Sequence, residues 1–477
     1  MRTLFVAALT WPLFLSLSCN HVPEEPAEPA SVAAEAPPAE PEPEPEPEPP
    51  PRMFRTADAP LDVLTEPRPG ASLRGHVLAD TPFEILDVGS GPGCDKGWAS
   101  LPAHGYACLD GTQPTDQAAV AQPELVTYDP PEPHEFEHYL ATGEYDHGQP
   151  VALVPSVYAK RWRRFKGMLY RDLDAWLAEQ QPIGRLEGGA GNKYHFTEIV
   201  ETERGPVLLR DDGQVAALND VYLYPVSRLQ GRDLVAEPLA EGLWPAFAID
   251  YEGAPVHVAP NEDSEVHHTL PYHSPLVVRS TAVAGGRWWA VPDALGPGKD
   301  GYVNDWRSIR HPVDPVARPS GVGDDEVWID VELDQQILQL FRGDDRIWFT
   351  LVSTGEAPMG TPKGIYEITD KMATKTMRSR PDSDDPYMVE DVPWTIHFLP
   401  SYALHGAYWH WGFGRTASHG CINMAPRDVT YLWEHIEPTI PAGWHTSWRS
   451  DEVPGTVLQV RRRDLPVPDK RQLVAGP

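Results

Sequence analysis

Basic residues are scarce in this sequence. Lys and Arg number 39 against 70 Asp and Glu, a formal net charge of −31 over 477 residues. Phosphate contacts need Lys and Arg, so this balance excludes nucleic acid as a partner and opposes adsorption to bare anionic membranes. Long apolar runs are lacking too. LFVAALTWPLFLSLS (Leu4–Ser18) comes after the basic Arg2. It is too short for a comfortable membrane span and reads as an export signal. Cysteine is scarcest, with Cys19, Cys94, Cys108 and Cys421 alone. Cys94 and Cys108 lie close together, and in an oxidising compartment they could close a short loop as a disulfide. Cys421 is then left unpaired, and an unpaired cysteine in an exported protein suggests a reactive thiol.

Proline, by contrast, is abundant, at 53 residues. Much of it alternates with Glu over residues 20–53, a tract that cannot form a core. Fixed φ angles and like-charge repulsion make it an extended linker. Some thirty residues at ~3.1 Å each reach on the order of 90 Å. Residues 1–19 resemble a bacterial lipoprotein signal, although Ser16 stands where that family prefers Leu. The resemblance implies that Cys19 is lipidated. The protein would then be membrane-anchored on the periplasmic face of the cell envelope, the outer membrane being favoured over the inner.

Residues 54–112 read as a small all-β unit containing HVLADTPFEILDVG and GWASLP…GYACLDG. Between these lies DVGSGPG (Asp87–Gly93), which resembles the first motif of S-adenosylmethionine methyltransferases. That chemistry needs a helix straight after the glycines. Gly97, Pro102 and Gly105 interrupt the next segment, so a hairpin loop is the better reading. Residues 250–310 repeat the pattern. Trp98–Pro102 aligns with Trp288–Pro292, and Gly105-Tyr106 with Gly301-Tyr302. Both units resemble bacterial SH3-like domains, which implies wall-peptide binding or a spacer role.

Residues 127–245 read as a mixed linking domain. Tyr158, Trp162, Phe165, Leu169 and Leu173 fall three or four apart, which predicts a helix. Arg161, Arg163, Arg164 and Lys166 would form its solvated face. RGPVLLRDDGQVAAL predicts a hairpin turning at Asp-Gly. From 325 to 461 the pattern alternates apolar and polar residues in short strands. One amphipathic helix, RDVTYLWEHIEP, points Val429, Leu432, Trp433 and Ile436 inward. Residues 462–477 form a tail.

A cysteine nucleophile needs a base, a setting that keeps thiolate, and N–H donors for an oxyanion. His405 lies sixteen positions before Cys421, after a strand, and His419 shares the turn of Cys421. Gly420 allows close approach and would leave its N–H free. A helix starting near Pro426 would favour thiolate through its dipole. A zinc reading is also open, because His405, His410, His419 and Cys421 could offer a nitrogen- and sulfur-rich shell.

HGAYWH…SHGCINM is similar to the motif of the L,D-transpeptidase family with its YkuD-type catalytic domain. GTPKGIYEI and PYMVEDVPWTIHF match that family's strands before the site. The resemblance implies a mainly β protein. A β-sandwich-like catalytic domain over 325–461 would come after two SH3-like β-barrels and a mixed α/β linking region. It also implies roles. Cys421 is the acylated nucleophile, and no metal or other cofactor is implied. His405 is the general base, oriented by the Gly406 carbonyl. His419, Gly420 and the Cys421 N–H shape the oxyanion site, and Ser418 braces the turn. Trp409 and Asn423 line the acyl pocket, with Tyr408 and His410 as further substrate contacts. Residues 371–392 fall where the family has a lid, where Met372, Met377, Tyr387 and Met388 would touch substrate.

The implied reaction attacks the bond between meso-diaminopimelate and D-Ala in a peptidoglycan stem peptide. An amine of a second stem would then give a 3→3 cross-link. Water would give carboxypeptidase activity, and an outer-membrane protein amine would give covalent anchoring. A decayed, non-catalytic wall tether is the competing reading, and the intact Cys421, His405 and His419 speak against it.

Overall fold

The alternating residues after 325 form a ladder. Val327–Glu332, Ile337–Arg342 and Asp345–Leu351 pair antiparallel in sequence. Gln336 (φ +53°) and Gly343 (φ +56°) sit in left-handed conformations at the two turns. Val457–Arg461 adds parallel to Val327–Glu332 and antiparallel to Gly364–Glu367. This computed structural model describes residues 52–131, 150–162, 164–188, 191–379 and 386–463, with the backbone of 471–472. The expected signal and lipidation site at Cys19, nearly all of the Glu/Pro linker and most of the tail lie outside the described residues. The fold is mainly β, at 43% strand and 6% helix. Among the described residues no helix is long and apolar enough to cross a membrane.

A second sheet is built on Met388–Leu399, which pairs with Asp370–Arg378 on one side and with Tyr402–Gly406 on the other. Ile422–Met424 adds parallel to Tyr402–Gly406. Between the two sheets lie Ile329, Leu338, Leu340, Ile396, Phe398, Leu404, Ile422 and Leu458. Burying each such side chain contributes about 1.5–3 kcal/mol. Helix Pro426–His435 closes this core with Val429, Leu432 and Trp433, and Ile436 just beyond it.

The second sheet extends well past the catalytic region. Trp444–Trp448 pairs with Asp370–Arg378, and Leu73–Val77 pairs in turn with Trp444–Trp448. Trp444 is fully buried among Val63, Val77, Phe83 and Leu101. Gly75 makes this approach possible, since a Cβ there would sit 2.4 Å from the Trp444 ring.

The two alignable units share one pairing scheme. Met53–Ala57 pairs with Phe83–Ile85 and Thr112–Thr115, as Leu243–Ala248 pairs with Pro275–Arg279 and Ile309–Arg310. Registers repeat as well, with Ser100 opposite Tyr106 and Ala290 opposite Tyr302. A bulge comes after Val63 in one unit and after Val256 in the other. A Cβ on Gly105 would meet Val63 at 2.5 Å, and one on Gly301 would meet Val256 at 2.5 Å. The DVGSGPG stretch contributes the strand Asp87–Gly89, paired with Trp98–Leu101 in a hairpin. Cys94 and Cys108 are disulfide-bonded.

The linking region departs from the expected helix. Residues 157–160 and 168–170 are strands, and among the described residues of the expected helix only Leu173–Leu177 is helical, capped by the Asp172 carboxylate. Val157–Ala159 pairs with Tyr194–Phe196, and Ala159–Lys160 with Tyr222–Leu223. Gly167 (φ +61°) would end any helix reaching it. These tertiary partners override the three-to-four spacing. The basic cluster is therefore no helix face: Arg164 is exposed on a turn and Arg163 lies outside the described residues. The predicted hairpin forms between Val207–Leu209 and Val215–Ala217, with Gly213 at φ +82° in its turn. Asn192–Phe196 joins Met388–Leu399 in parallel, with Lys193 beside Val389, so the linking region continues the catalytic sheet.

Candidate active site

Parallel pairing of Tyr402–Gly406 with Ile422–Met424 sets His405 opposite Asn423. Cys421 thus enters its strand one residue before the position facing Leu404. His405 is 2% exposed, and its Nδ1 lies 3.4 Å from the Gly406 carbonyl. That contact places the proton on Nδ1 and leaves the Nε2 lone pair free to take one. Burial pushes the His405 value down to about 4, so the ring is neutral at neutral pH.

The Cys421 thiol is a free cysteine, partly exposed. Its Sγ lies 4.0 Å from the Ser401 carbonyl. Burial pushes the thiol above its ordinary value, while the Ala403 N–H and the Lys375 ammonium pull the other way. This corrects the expectation of a dipole-favoured thiolate. The helix begins only at Pro426, and burial is the largest influence on the thiol. The resting pair is a thiol and a neutral imidazole.

The turn before Cys421 is tightly tied. Ser418 Oγ donates to the Cys421 carbonyl at 2.5 Å and accepts from Gly420 N–H at 3.1 Å. That second bond corrects the expectation of a free Gly420 N–H. Thr361 Oγ1 donates to the Gly420 carbonyl at 2.8 Å. Gly420 sits at φ +121°, and a Cβ there would stand 2.6 Å from the Tyr402 ring. His419 is exposed, its ring 5.6 Å from that of Tyr387. Burial raises the Tyr387 phenol.

Other expected contacts are distributed unevenly. Trp409 is half-buried with its ring 5.4 Å from His405. Tyr408 does not reach a pocket. It is fully buried, stacked on Tyr158 at 3.4 Å, and donates to the Glu390 carbonyl at 3.0 Å. Asn423 is buried and bonded to His410 through Nδ2 and Nε2 at 2.9 Å. Asn423 Oδ1 and His410 Nδ1 keep no hydrogen-bond partner, a costly state that buried groups rarely keep. Met372 and Met377 are half-buried on Asp370–Arg378, facing Thr395 and Val389 across the ladder. Met388 takes its N–H to Asn192 Oδ1 at 3.1 Å. The described part of the expected lid is this pair of strands, and 380–385 lie outside the described residues. His405, His410, His419 and Cys421 do not bring three ligand atoms within metal-binding reach of one another.

Sequence reasoning missed a polar chain beside the thiol. Lys375 Nζ is 2.9 Å from His397 Nε2, and His397 Nδ1 is 2.7 Å from Asp370 Oδ2. His397 faces Ala403 across the ladder, the residue whose N–H approaches Cys421. Only the strand pairing creates this chain, and no local motif announces it.

Residues 326–460 match the family model of YkuD, the L,D-transpeptidase catalytic domain. That part of the chain is a YkuD catalytic domain, of a family of cysteine-dependent L,D-transpeptidases. Comparison with curated proteins gave no match. Among solved structures, the catalytic domain of an E. faecium L,D-transpeptidase is 21% identical, covering 29% of this chain and 98% of that one, with a TM-score of 0.24. An L,D-transpeptidase from Stackebrandtia nassauensis is 25% identical over 29% of this chain and 57% of its own, with a TM-score of 0.22. One from Mycobacterium smegmatis is 16% identical over 47% and 88%, with a TM-score of 0.23.

Proposed function

We propose that this chain, with its YkuD catalytic domain at 326–460, is a peptidoglycan acyltransferase with Cys421 as nucleophile and His405 as base. The observation that carries this reading is the neutral, buried His405, its Nδ1 engaged by Gly406, on the strand paired with the one Cys421 enters. His405 Nε2 takes the thiol proton as Sγ attacks the carbonyl between meso-diaminopimelate and D-Ala. The C–N bond breaks, D-Ala leaves with that proton, and a thioester to Cys421 remains. An amine of a second stem peptide then attacks the thioester, giving a 3→3 cross-link and restoring the thiol. Two neutral partners suit this cycle, since no resting ion pair has to be dismantled before the proton moves.

The N-terminal segments fit the same reading. A lipid on Cys19 and the Glu/Pro linker would tether the catalytic domain in the periplasm, within reach of the wall. The two units of like pairing would serve as SH3-like spacers or wall-peptide binders. Purified tetrapeptide muropeptides, incubated with the protein and weighed by mass spectrometry, test the reaction. Cross-linked dimers with loss of D-Ala are expected. Tripeptides alone would mean water is the acceptor, and unchanged tetrapeptides would refute the proposal.

A further inference from the structure

One lysine of the linking region, Lys193, stands against a ring of this site. Lys193 rides on Asn192–Phe196, the strand that joins the catalytic sheet beside Val389. Its Nζ lies 5.3 Å from the Trp409 ring centroid, and the Trp409 ring lies 5.4 Å from that of His405. Trp409 is thus a shared ring neighbour of this ammonium and of the general base. The Lys193 ammonium reaches the Gly191 carbonyl only at 3.4 Å, and among the described residues no carboxylate lies within salt-bridge distance of it. Burial and the like charge of Lys160 together push Lys193 down to about 8, which leaves it mostly protonated at neutral pH. Lys160 is itself held over the rings of Trp162, Tyr222 and Tyr224 at 4.2, 5.1 and 5.1 Å. A half-buried cation with only a distant carbonyl contact opposes folding. A bound anion would offset that cost, and it would do so beside the ring that also neighbours His405.

We propose that Lys193, with Trp409, forms a subsite for a carboxylate of the stem peptide, so that the linking region sets substrate specificity. The inference rests on the peptidoglycan reading above. It gives the linking region a task in substrate recognition, because its strand carries the cation that lies over Trp409. An indole and an ammonium together suit a peptide acid: the ring takes the aliphatic part and the charge takes the carboxylate.

Calorimetric binding to the Cys421→Ala protein, which cannot form a thioester, tests this. The probes are a tetrapeptide stem with its internal carboxylates free and the same peptide with them amidated. The free acid is expected to bind at least about tenfold tighter, the scale of one charge-assisted contact. Adding Lys193→Met should abolish that preference, and Lys193→Arg should retain most of it. Equal binding of the two peptides by the Lys193 protein overturns the inference, as does no binding of either. A preference that persists in Lys193→Met also overturns it. The peptide comparison stands even where Lys193→Met fails to fold. The peptidoglycan reading is judged separately, by D-Ala release from the acidic tetrapeptide with Cys421 intact.

Discussion

Helix Pro426–His435 holds the segment just after Cys421, and buried ionisable groups grip both its ends. Asp428, in its first turn, is 1% exposed. Its carboxylate accepts from Gly231 N–H at 2.6 Å and from the Thr350 hydroxyl. Burial nonetheless pushes it from 3.8 up to about 7. The folded protein therefore holds a proton that the unfolded chain releases near pH 4. The stabilisation is fully present below that pH and is lost as pH rises through about 7. At about 1.4 kcal/mol per pH unit the whole effect is about 4 kcal/mol, of which about 2.5 falls between pH 5 and 8. Asp428→Asn keeps an acceptor for Gly231 and can donate to Thr350, while removing the titration. The assay is urea unfolding of both proteins at pH 5 and pH 8, monitored by tryptophan fluorescence. Wild type should lose about 2.5 kcal/mol more than the variant across that interval. Parallel profiles would refute the assignment of a proton to Asp428. At the other end, Lys371 donates to the Trp433 and Ile436 carbonyls and is pushed down to about 7 by burial. Its unfolded form binds more protons above that pH, so its contribution rises from about pH 7 towards 10 and has the opposite slope.

The same geometry carries other expected outcomes. Gly420→Ala forces a Cβ towards Tyr402 at φ +121°. About 1–3 kcal/mol of strain should shift the Cys421 turn and slow acylation by a carbapenem at least about tenfold; an unchanged rate would show that the turn tolerates the methyl. Reactivity of Cys421 towards a neutral alkylating agent should climb steadily from pH 7 to 9, because the thiol is raised and His405 is neutral. A plateau already reached below pH 7 would indicate a resting thiolate–imidazolium pair instead. Replacing Cys94 and Cys108 together by Ser opens a loop of sequence separation 14 and should cost about 3 kcal/mol in unfolding free energy. No measurable loss would mean the unfolded chain gains little freedom there.

The catalytic strands and helix were legible because their signals are local. Alternation from 325 onward and the inward stripe of Val429, Leu432 and Trp433 each lie within short stretches of chain. The spacing of His405 and Cys421 is likewise short enough to read as one constellation. Contacts made between distant segments were not legible. Tyr158, at helical spacing in the sequence, is held in a strand by Tyr194–Phe196 and stacked on Tyr408, 250 positions away. That stack is also why Tyr408 packs instead of facing substrate. The thiol's raised value depends on how the surrounding strands bury it, which no motif encodes. Lys193 and the Lys375–His397–Asp370 chain exist only through pairing with Met388–Leu399. The doubled unit was visible as a short tryptophan and glycine–tyrosine alignment, but its shared register and bulge needed the backbone.

The central claim is that Cys421 forms an acyl-enzyme. Intact-mass measurement after incubation with a carbapenem tests it most directly, on wild type and on Cys421→Ala. The expected result is one covalent adduct, located at Cys421 by peptide mapping and absent from the variant. A folded wild-type protein that gains no adduct, or a variant that gains the same one, would contradict the account.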